Sequence, residues 1–327
     1  MKKSEKATSP LFVVGMPRSG STLFTRLLNE SQDLFIVNDF YYLQYVESLG
    51  GFNENDSHLN RDFAQYILKL IKGRVERPDS PPIECGLMLS ESDERELESY
   101  AIKCGEQADM NWATILTSIM EFSANLVGKK IWGYNTPQDY LHIDKLLDKF
   151  PDAKFIFLMR DPRSVIRSYK YVTSNGYHDT NRYHPILQSM AWKASLHTYH
   201  TWKDLKPEQF LLVFYEELIE QTNETMAKVG DFMSANFSHV DLKDFGNNSS
   251  FQGKSKRSLS DAEIWLCEKV AGQDMLNIGY SLSGKKPKLQ DLGPILNISQ
   301  KAAWFYIQKS FTSKDIRKRV LNLITKF

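Results

Sequence analysis

The sequence predicts an α/β protein in three layers, with helices on both sides of a central parallel sheet. Short apolar runs suited to buried strands alternate with helical patterns over residues 10–235, which is typical of a parallel, doubly wound sheet. The first run, Leu11–Val14, leads into a loop bounded by Gly15 and Gly20, and a helical spacing of leucines begins at Thr22. A strand, a glycine-bounded loop and a helix in this order direct backbone N–H groups and the positive helix end at an anion.

The loop has the spacing of a nucleotide phosphate loop without its lysine. Gly15 and Gly20 reproduce the G-x-x-x-x-G pattern, and Thr22 occupies the Ser/Thr position. Ser21 stands where a kinase or ATPase carries the lysine for the β- and γ-phosphates, and Arg18 supplies a cation instead. We therefore predict a P-loop-like cradle for a phosphate-type anion. A plain strand-to-helix turn and a nucleotide-dependent phosphotransferase are the alternatives.

The composition is that of an ordinary globular protein. Of the 327 residues, 42% are hydrophobic and 25% are charged, and we expect a single domain over residues 1–327. The net charge of +1 gives no reason to predict a nucleic-acid partner. The three cysteines form no Cys-x-x-Cys pair, and the apolar run at the first strand is too short for a signal peptide. We therefore predict reduced thiols and a cytoplasmic location.

Asp39 is a candidate general base. It follows the second apolar run, Leu34–Val37, and so stands at the carboxyl end of a strand, where α/β sheets bind ligands. The alternative is an N-cap for a helix predicted over Phe40–Ser48, a role that aspartate fills well. If Asp39 is not the base, His178 and His184 are the next candidates, although both are more typical of surface histidines.

Residues 50–128 lack strong strand signals and are predicted to form a helical insertion or lid over the sheet. Helical spacing covers Arg61–Lys72 and Ala113–Leu126, and a shorter helix is predicted over Leu97–Cys104. Coverings of this kind usually contact the substrate.

A second strand-turn-helix unit places cations at the end of a strand. The apolar run Ala153–Met159 leads directly into the RDPR segment Arg160–Arg163. Ser168 falls within the second turn of the next helix, where we expect it to face Arg160. An arginine and a serine hydroxyl can together hold a second phosphate. The alternative for Arg160 is an ion pair with a nearby carboxylate.

The remaining pattern completes the alternation. Strands are predicted over Lys130–Gly133 and Phe210–Phe214, and helices over Ile186–Leu205, Tyr215–Met233 and Ser260–Asn277, the last opened by a Ser-x-x-Glu capping box. A further helix is predicted to open at Asn135–Pro137, with Leu141, Leu146 and Leu147 facing inward.

Two basic segments follow the last strand. The polar stretch Asp244–Arg257 contains Lys254 and Lys256 and either closes over a polyanionic ligand or is a solvated linker. Residues 290–327 are predicted to form a basic, aromatic helical tail. Such a tail either docks with a charged outer face or makes peripheral contact with an anionic membrane or a partner.

Together these motifs resemble those of the sulfotransferases that use 3′-phosphoadenosine 5′-phosphosulfate (PAPS). The resemblance rests on PRSGST after a strand, Pro17–Thr22, and on RDPR followed by Ser168. It is nearest to the branch with a PRSGT/S-T loop, which includes tyrosylprotein-type and bacterial enzymes. It covers Leu11–Asp39 and Gly133–Leu218, with a looser match at Asn248–Phe251.

The resemblance implies roles for individual residues. The 5′-phosphosulfate would be held by Arg18, Ser19, Gly20, Ser21 and Thr22, the 3′-phosphate by Arg160 and Ser168, and the nucleotide would be closed in by Ser249, Lys254 and Lys256. Asp39 falls where this branch often has its base, more commonly Glu. In the segment GYNTPQDYL, Asn135 replaces the lysine that often assists the leaving group. Arg18 or the late lysines would then compensate, or Asn135 would donate a neutral hydrogen bond.

The implied function is transfer of a sulfuryl group from PAPS, as co-substrate, to an acceptor hydroxyl by in-line displacement. No metal is required, because a sulfuryl group carries less negative charge than a phosphoryl group. The acceptor would be a carbohydrate, a lipid-linked molecule or another small molecule. The remaining alternative, favoured by Asn135, is a non-catalytic nucleotide-binding protein of the same fold. Oligomeric state is not predicted.

Overall fold

The computed structural model describes residues 9–50, 52, 57–73, 89–171, 173–174, 177–178, 183–242 and 258–312. The chain divides into two compact units. The first contains residues 1–15, 20–158 and 202–246, and the second contains residues 16–19, 159–201 and 247–327. The prediction of a single domain over the whole chain stays a prediction.

The first unit is built on a five-stranded sheet. Its strands, in chain order, are β1 (Leu11–Gly15), β2 (Leu34–Asn38), β3 (Ile131–Asn135), β4 (Lys154–Met159) and β7 (Phe210–Phe214). The short strands β5 (Thr173–Ser174) and β6 (Tyr177–His178) pair with each other in a separate sheet. The spatial order is β2-β3-β1-β4-β7, and β2–β3, β3–β1 and β1–β4 are parallel pairs. The predicted central parallel sheet is confirmed.

The strands form because both of their faces are buried. Every residue of β1 and β2 is buried, as is typical of parallel strands covered by helices on both sides. On one face, Leu11 and Val13 pack with α1 (Ser21–Asn29), α9 (Tyr215–Glu220) and α10 (Thr222–Met233). On the other, Phe12 contacts Trp132, Tyr134 and Phe155 in an aromatic layer. The three-layer α/β/α arrangement is therefore confirmed in this unit.

The region predicted as a helical insertion is helical where the structure describes it. It contains α3 (Asn60–Ile71), α4 (Glu91–Glu106) and α5 (Trp112–Leu126), after α2 (Tyr42–Ser48). Helix α3 packs on α4 and α5, and α5 packs on β3. The prediction of α4 was too short, because a Ser90–Asp93 capping box starts the helix well before Leu97. Its action as a lid stays a prediction.

The prediction of a helix that opens at Asn135–Pro137 is wrong for the first turn of that helix. A 3₁₀ turn over Pro137–Leu141 comes first, and α6 (Ile143–Lys149) follows. Leu146 and Leu147 are buried as expected, but Leu141 is exposed. A 3₁₀ turn places its side chains three to the turn rather than 3.6, which shifts Leu141 off the inward face.

The second unit is mainly helical. It contains α7 (Pro162–Lys170), most of α8 (Pro185–Leu205), α11 (Asp261–Asn277) and α12 (Leu292–Thr312). Helices α7 and α12 both contact α11, and a small core forms around Ile166, Leu259 and Cys267.

Cys104, in the first unit, and Cys267, in the second, are free and buried. Burial raises the pKa of Cys267 to about 12. None of the helices in the described part of the chain is long and apolar enough to cross a membrane.

Candidate active site

The loop between β1 and α1 has two positions that only glycine fits. Gly15 has φ +140°, and a Cβ there would lie 2.5 Å from the carbonyl oxygen of Leu158. Gly20 has φ +96°, and a Cβ there would lie 2.2 Å from the Tyr215 ring. Both residues adopt conformations that favour glycine. The predicted strand, glycine-bounded loop and helix are therefore present, with Ser21 and Thr22 in the first turn of α1.

Ser19 carries a buried hydroxyl inside this loop. The residue is 1% exposed, its backbone N–H donates to the Met16 carbonyl at 3.3 Å, and its Oγ has no hydrogen-bond partner among the described residues. A buried hydroxyl without a partner is costly. An anion at the loop would satisfy it.

Arg18, Arg160 and Ser168 come together within the second unit. The Nε of Arg18 donates to the Oγ of Ser168 at 3.1 Å, and Nη1 of Arg160 donates to the backbone carbonyl of Arg18 at 3.4 Å. The sequence placed Ser168 opposite Arg160, whereas the recorded contact of its hydroxyl is with Arg18. The two predicted phosphate-binding motifs are thus joined by one arginine.

The turn that carries Arg160 is fixed by its neighbours. Trp192 Nε1 donates to the Arg160 carbonyl at 2.9 Å, and Asp161 caps α7 by accepting from the Arg163 N–H at 2.8 Å. Arg163 contacts the carboxylates of both Asp161, at 2.6 Å, and Glu268, at 2.9 Å. The hydrogen bond to Asp161 is the main reason that the pKa of Arg163 lies above its usual value, although burial opposes it. Both carboxylates therefore engage Arg163, the second arginine of RDPR.

Asp39 lies just beyond the carboxyl end of β2, in the first unit. It is half-buried and has φ +54°. Helix α2 begins at Tyr42 with Tyr41 as its N-cap residue, so the alternative reading of Asp39 as the cap is wrong. The preceding residue, Asn38, accepts hydrogen bonds from Asn135 Nδ2 at 2.6 Å and Thr25 Oγ1 at 3.4 Å. This buried amide pair joins the ends of β2 and β3.

Asn135 is fully buried at the end of β3. One N–H of its amide is used by Asn38, and its Oδ1 has no partner among the described residues. The position supplies no cation, as the sequence indicated. Its assistance to a leaving group stays a prediction.

Several predicted residues fall outside this description. Ser249, Lys254 and Lys256 lie outside the described residues, as does Arg257. His178 is described by its backbone in β6 only, and His184 is half-buried just before α8. Within the described ranges, no group of three or more His, Cys, Asp or Glu side chains could hold a metal ion.

Two residues of the site were missed from the sequence. Tyr215 packs its ring against Gly20, and Asn38 orients the end of β2 through its two hydrogen bonds. Tyr215 directly follows a buried apolar run, and Asn38 ends one. Their position at the carboxyl edge of the sheet is therefore the sequence signal that could have identified them.

A three-layer α/β fold with a glycine-bounded loop between its first strand and first helix belongs to the P-loop-like class. Comparison with known proteins specifies the family: the model described as "Sulfotransferase family" matches residues 10–239. The chain belongs to the sulfotransferase family.

Curated relatives match over part of their length. A protein-tyrosine sulfotransferase of Drosophila melanogaster is 24% identical over 159 residues, which are 45% of this chain and 31% of the fly protein. Sulfotransferase 2A1 of Homo sapiens is 27% identical over 139 residues, 38% of this chain and 46% of the human one. The chain therefore spans less than half the length of both. Among solved structures, sulfotransferase STF9 from Mycobacterium avium aligns at 14% identity with a TM-score of 0.48, covering 85% of this chain and 79% of its own.

Proposed function

We propose that this protein transfers a sulfuryl group from PAPS to an acceptor hydroxyl. The observation that carries the proposal is the cluster of Arg18, Arg160 and Ser168. The Arg18 guanidinium donates to the Ser168 hydroxyl at 3.1 Å, and the Arg160 guanidinium donates to the backbone carbonyl of Arg18 at 3.4 Å. Guanidinium groups bind phosphate and sulfate oxygens through charge-assisted hydrogen bonds. A donor with a 5′-phosphosulfate and a separate 3′-phosphate matches a cluster that joins two anion-binding motifs.

The loop supports the same donor. Ser19 offers a buried hydroxyl without a partner among the described residues, and Gly20 gives the loop the φ of +96° that brings its backbone to the first turn of α1. We infer that Ser19, Gly20, Ser21 and Thr22 hold the 5′-phosphosulfate together with Arg18, and that Arg160 and Ser168 hold the 3′-phosphate. From the sequence resemblance alone, Ser249, Lys254 and Lys256 complete the nucleotide contacts.

In the proposed reaction, Asp39 acts as general base. The acceptor oxygen forms a bond to sulfur while the bond from sulfur to the 5′-phosphate oxygen breaks. The acceptor proton passes to the Asp39 carboxylate, and adenosine 3′,5′-bisphosphate leaves. Arg18 stabilises the negative charge that accumulates on the leaving phosphate. PAPS supplies the activated sulfuryl group, so this scheme asks the protein only for binding, orientation, charge stabilisation and one proton transfer.

The donor is tested by isothermal titration calorimetry with adenosine 3′,5′-bisphosphate and with ATP. We expect the bisphosphate to bind and ATP to bind at least about tenfold more weakly, since ATP lacks a 3′-phosphate and each charge-assisted hydrogen bond contributes about 1.5–3 kcal/mol. Equal affinity for the two would support a nucleotide-dependent phosphotransferase. No affinity for the bisphosphate would refute the proposed donor.

The base is tested with Asp39→Asn. Removal of one general base typically lowers the rate about 10²–10⁴-fold, and we expect that loss of turnover with unchanged calorimetric affinity for the bisphosphate. Labelled PAPS and an acceptor panel provide the assay: a carbohydrate, a lipid-linked sugar, a small phenol and a tyrosine-containing peptide. The peptide is included because one matching relative is a protein-tyrosine sulfotransferase. Unchanged turnover would transfer the role to His178, His184 or a residue of the helical insertion.

A second candidate function is nucleotide binding without catalysis. Asn135 stands at the position of a commonly assisting lysine, is fully buried and gives an N–H to Asn38 at 2.6 Å. A protein that binds adenosine 3′,5′-bisphosphate but sulfates neither the panel nor any component of a host extract would fit this candidate instead.

A further inference from the structure

The C-terminal part of the second unit has an uneven charge. Residues 285–327 contain ten Lys or Arg and two Asp, a net charge of +8, whereas residues 1–284 contain 31 Lys or Arg and 38 Asp or Glu, a net charge of −7. The net charge of +1 for the whole chain is therefore the sum of a strongly basic C-terminal segment and an acidic remainder. Basic segments of this kind are attracted to anionic surfaces.

The same segment exposes large apolar side chains. Leu289 is 86% exposed, Leu296 60% and Trp304 62%, which makes them three of the four most exposed large hydrophobic side chains recorded in the described part of the chain. Leu289 lies in the stretch 281–290, in which nine of ten residues are exposed. Leu296 and Trp304 both lie on α12. A cluster of exposed apolar residues on one element marks an interaction surface rather than incidental exposure.

Helix geometry places these residues together. Leu296 and Trp304 are eight positions apart, about 12 Å along the axis and about 80° around it, so they share one side of α12. Lys301 is exposed and lies about 60° from Trp304 around the helix. Lys286 and Lys288 are exposed just before Leu289. The prediction of a docked helix with a charged outer face is therefore incomplete: α12 contacts α11, but its outer side combines apolar residues with lysine.

We propose that this surface, formed by the segment 285–289 and the outer side of α12, binds the surface of an anionic lipid bilayer. Leucine and tryptophan enter the interface between headgroups and acyl chains, where the indole ring is favoured. Lysines at the rim contact lipid phosphates and carboxylates. The net charge of +8 is that of residues 285–327 as a whole, and it favours an anionic partner. The exposed Leu289, Leu296 and Trp304 favour one with an apolar interior, which a soluble polyanion lacks.

The test is co-sedimentation of the full chain with vesicles. We expect binding to vesicles that contain phosphatidylserine in phosphatidylcholine and little binding to phosphatidylcholine alone. Leu296→Ala with Trp304→Ala should weaken binding at least about tenfold, and Lys286→Ala with Lys301→Ala about fivefold for each lysine. Matched controls are Leu205→Ala, 67% exposed at the end of α8, and Lys103→Ala on α4, exposed like Lys301. Neither control should change vesicle affinity.

Fluorescence gives a readout tied to the site. Trp112, Trp132 and Trp192 are buried, and Trp202 and Trp265 are half-buried. Trp304 is the most exposed of the six tryptophans, so a blue shift of emission on vesicle addition should come mainly from it. Trp304→Phe should keep the binding and lose most of the shift. Equal binding to neutral and anionic vesicles would overturn the proposal. It would also be overturned if the protein bound no vesicles but bound heparin, with an affinity that Leu296→Ala and Trp304→Ala together leave unchanged. Self-association that the same alanine pair abolishes, without vesicle binding, would assign the surface to a second copy of the chain.

Discussion

Arg18 and Asp39 both have a positive backbone φ. Their φ values are +74° and +54°, and the third non-glycine residue with positive φ in the described chain, Ser234, ends helix α10. A positive φ is uncommon for residues other than glycine, and for a bulky residue such as arginine it is costly. Such strain persists only where the surrounding structure maintains it, and it concentrates at functional sites. Aspartate adopts a positive φ more readily than arginine, so the backbone supports the proposed role most directly for Arg18.

Gly20 gives a residue-level prediction about the loop. Gly20→Ala adds a Cβ at φ +96° and 2.2 Å from the Tyr215 ring. We expect a loss of about 2–5 kcal/mol in the free energy of unfolding, the sum of the conformational and overpacking costs, measured by equilibrium urea denaturation. Binding of adenosine 3′,5′-bisphosphate should also weaken.

Gly128→Ala is the matched control for Gly20. Gly128 has φ +72°, follows the C-cap of α5, and has no atom within 4 Å of a built Cβ. Its replacement should cost only the conformational part, about 1–2 kcal/mol. Equal losses for the two variants would show that the Tyr215 ring moves aside and that contact with it does not constrain the loop.

Glu263 holds together three segments of the second unit. Its carboxylate accepts from Lys170 of α7 at 2.8 Å, from Tyr183 at 2.6 Å and from the Ser260 N–H at 2.7 Å in the capping box of α11. Burial alone would raise the pKa of Glu263, but these hydrogen bonds and the charge of Lys170 outweigh it, so the pKa lies below its usual value. Helix α11 is thereby fixed to α7, which carries Ser168.

Replacement of Glu263 has an effect that depends on pH. Because its pKa is lowered on folding, the carboxylate stabilises the fold above the ordinary glutamate pKa of about 4.3 and loses this effect as pH falls through the lowered value. Glu263→Gln should reduce the free energy of unfolding by about 2–4 kcal/mol at neutral pH and by less in acid. Asp93→Asn, in the more exposed capping box of α4, should cost at most about 1 kcal/mol. Urea denaturation at several pH values measures both, and a loss that is the same at all of them would contradict the assigned role of the charge.

The strands could be predicted from sequence because their burial is local information. Leu11–Gly15, Leu34–Asn38 and Lys154–Met159 are apolar except at the end residues Asn38 and Lys154. A strand buried on both faces can be recognised from such a run without knowledge of its partner strands. Helix ends were harder to predict. The capping box at Ser90 and the 3₁₀ turn at Pro137–Leu141 depend on local hydrogen bonds that periodicity does not report.

At the scale of the whole chain, sequence order separates residues that the fold brings together. Arg18 and Ser168 are 150 positions apart and make a direct hydrogen bond. Their motifs could be identified from local spacing, and their order indicated one ligand. The contact itself could not be predicted, because the spacing within each motif carries no information on the distance between motifs. Tyr215 against Gly20 escaped prediction for the same reason.

Nucleotide binding should stabilise the whole protein. A ligand that binds only the folded state at a hundredfold excess over its Kd adds about 2.7 kcal/mol, or a rise of about 5 °C in Tm for a chain of this size. We expect this rise with adenosine 3′,5′-bisphosphate. Adenosine 2′,5′-bisphosphate, which has the same charge with one phosphate moved, should give a much smaller rise if the second phosphate is held at a defined position.

Arg160→Ala should remove most of this stabilisation. Loss of charge-assisted hydrogen bonds of about 1.5–3 kcal/mol reduces the rise in Tm at the same ligand concentration to roughly half or less. Arg167→Ala removes the same charge from an exposed position on α7, next to Ser168, and should retain the full rise. Differential scanning fluorimetry of the two variants with both isomers measures the contrast. If a phosphate is held at Arg160, the rise in Tm must differ between the two variants and between the two isomers. An equal loss of the rise in Arg167→Ala and Arg160→Ala would instead indicate general charge attraction.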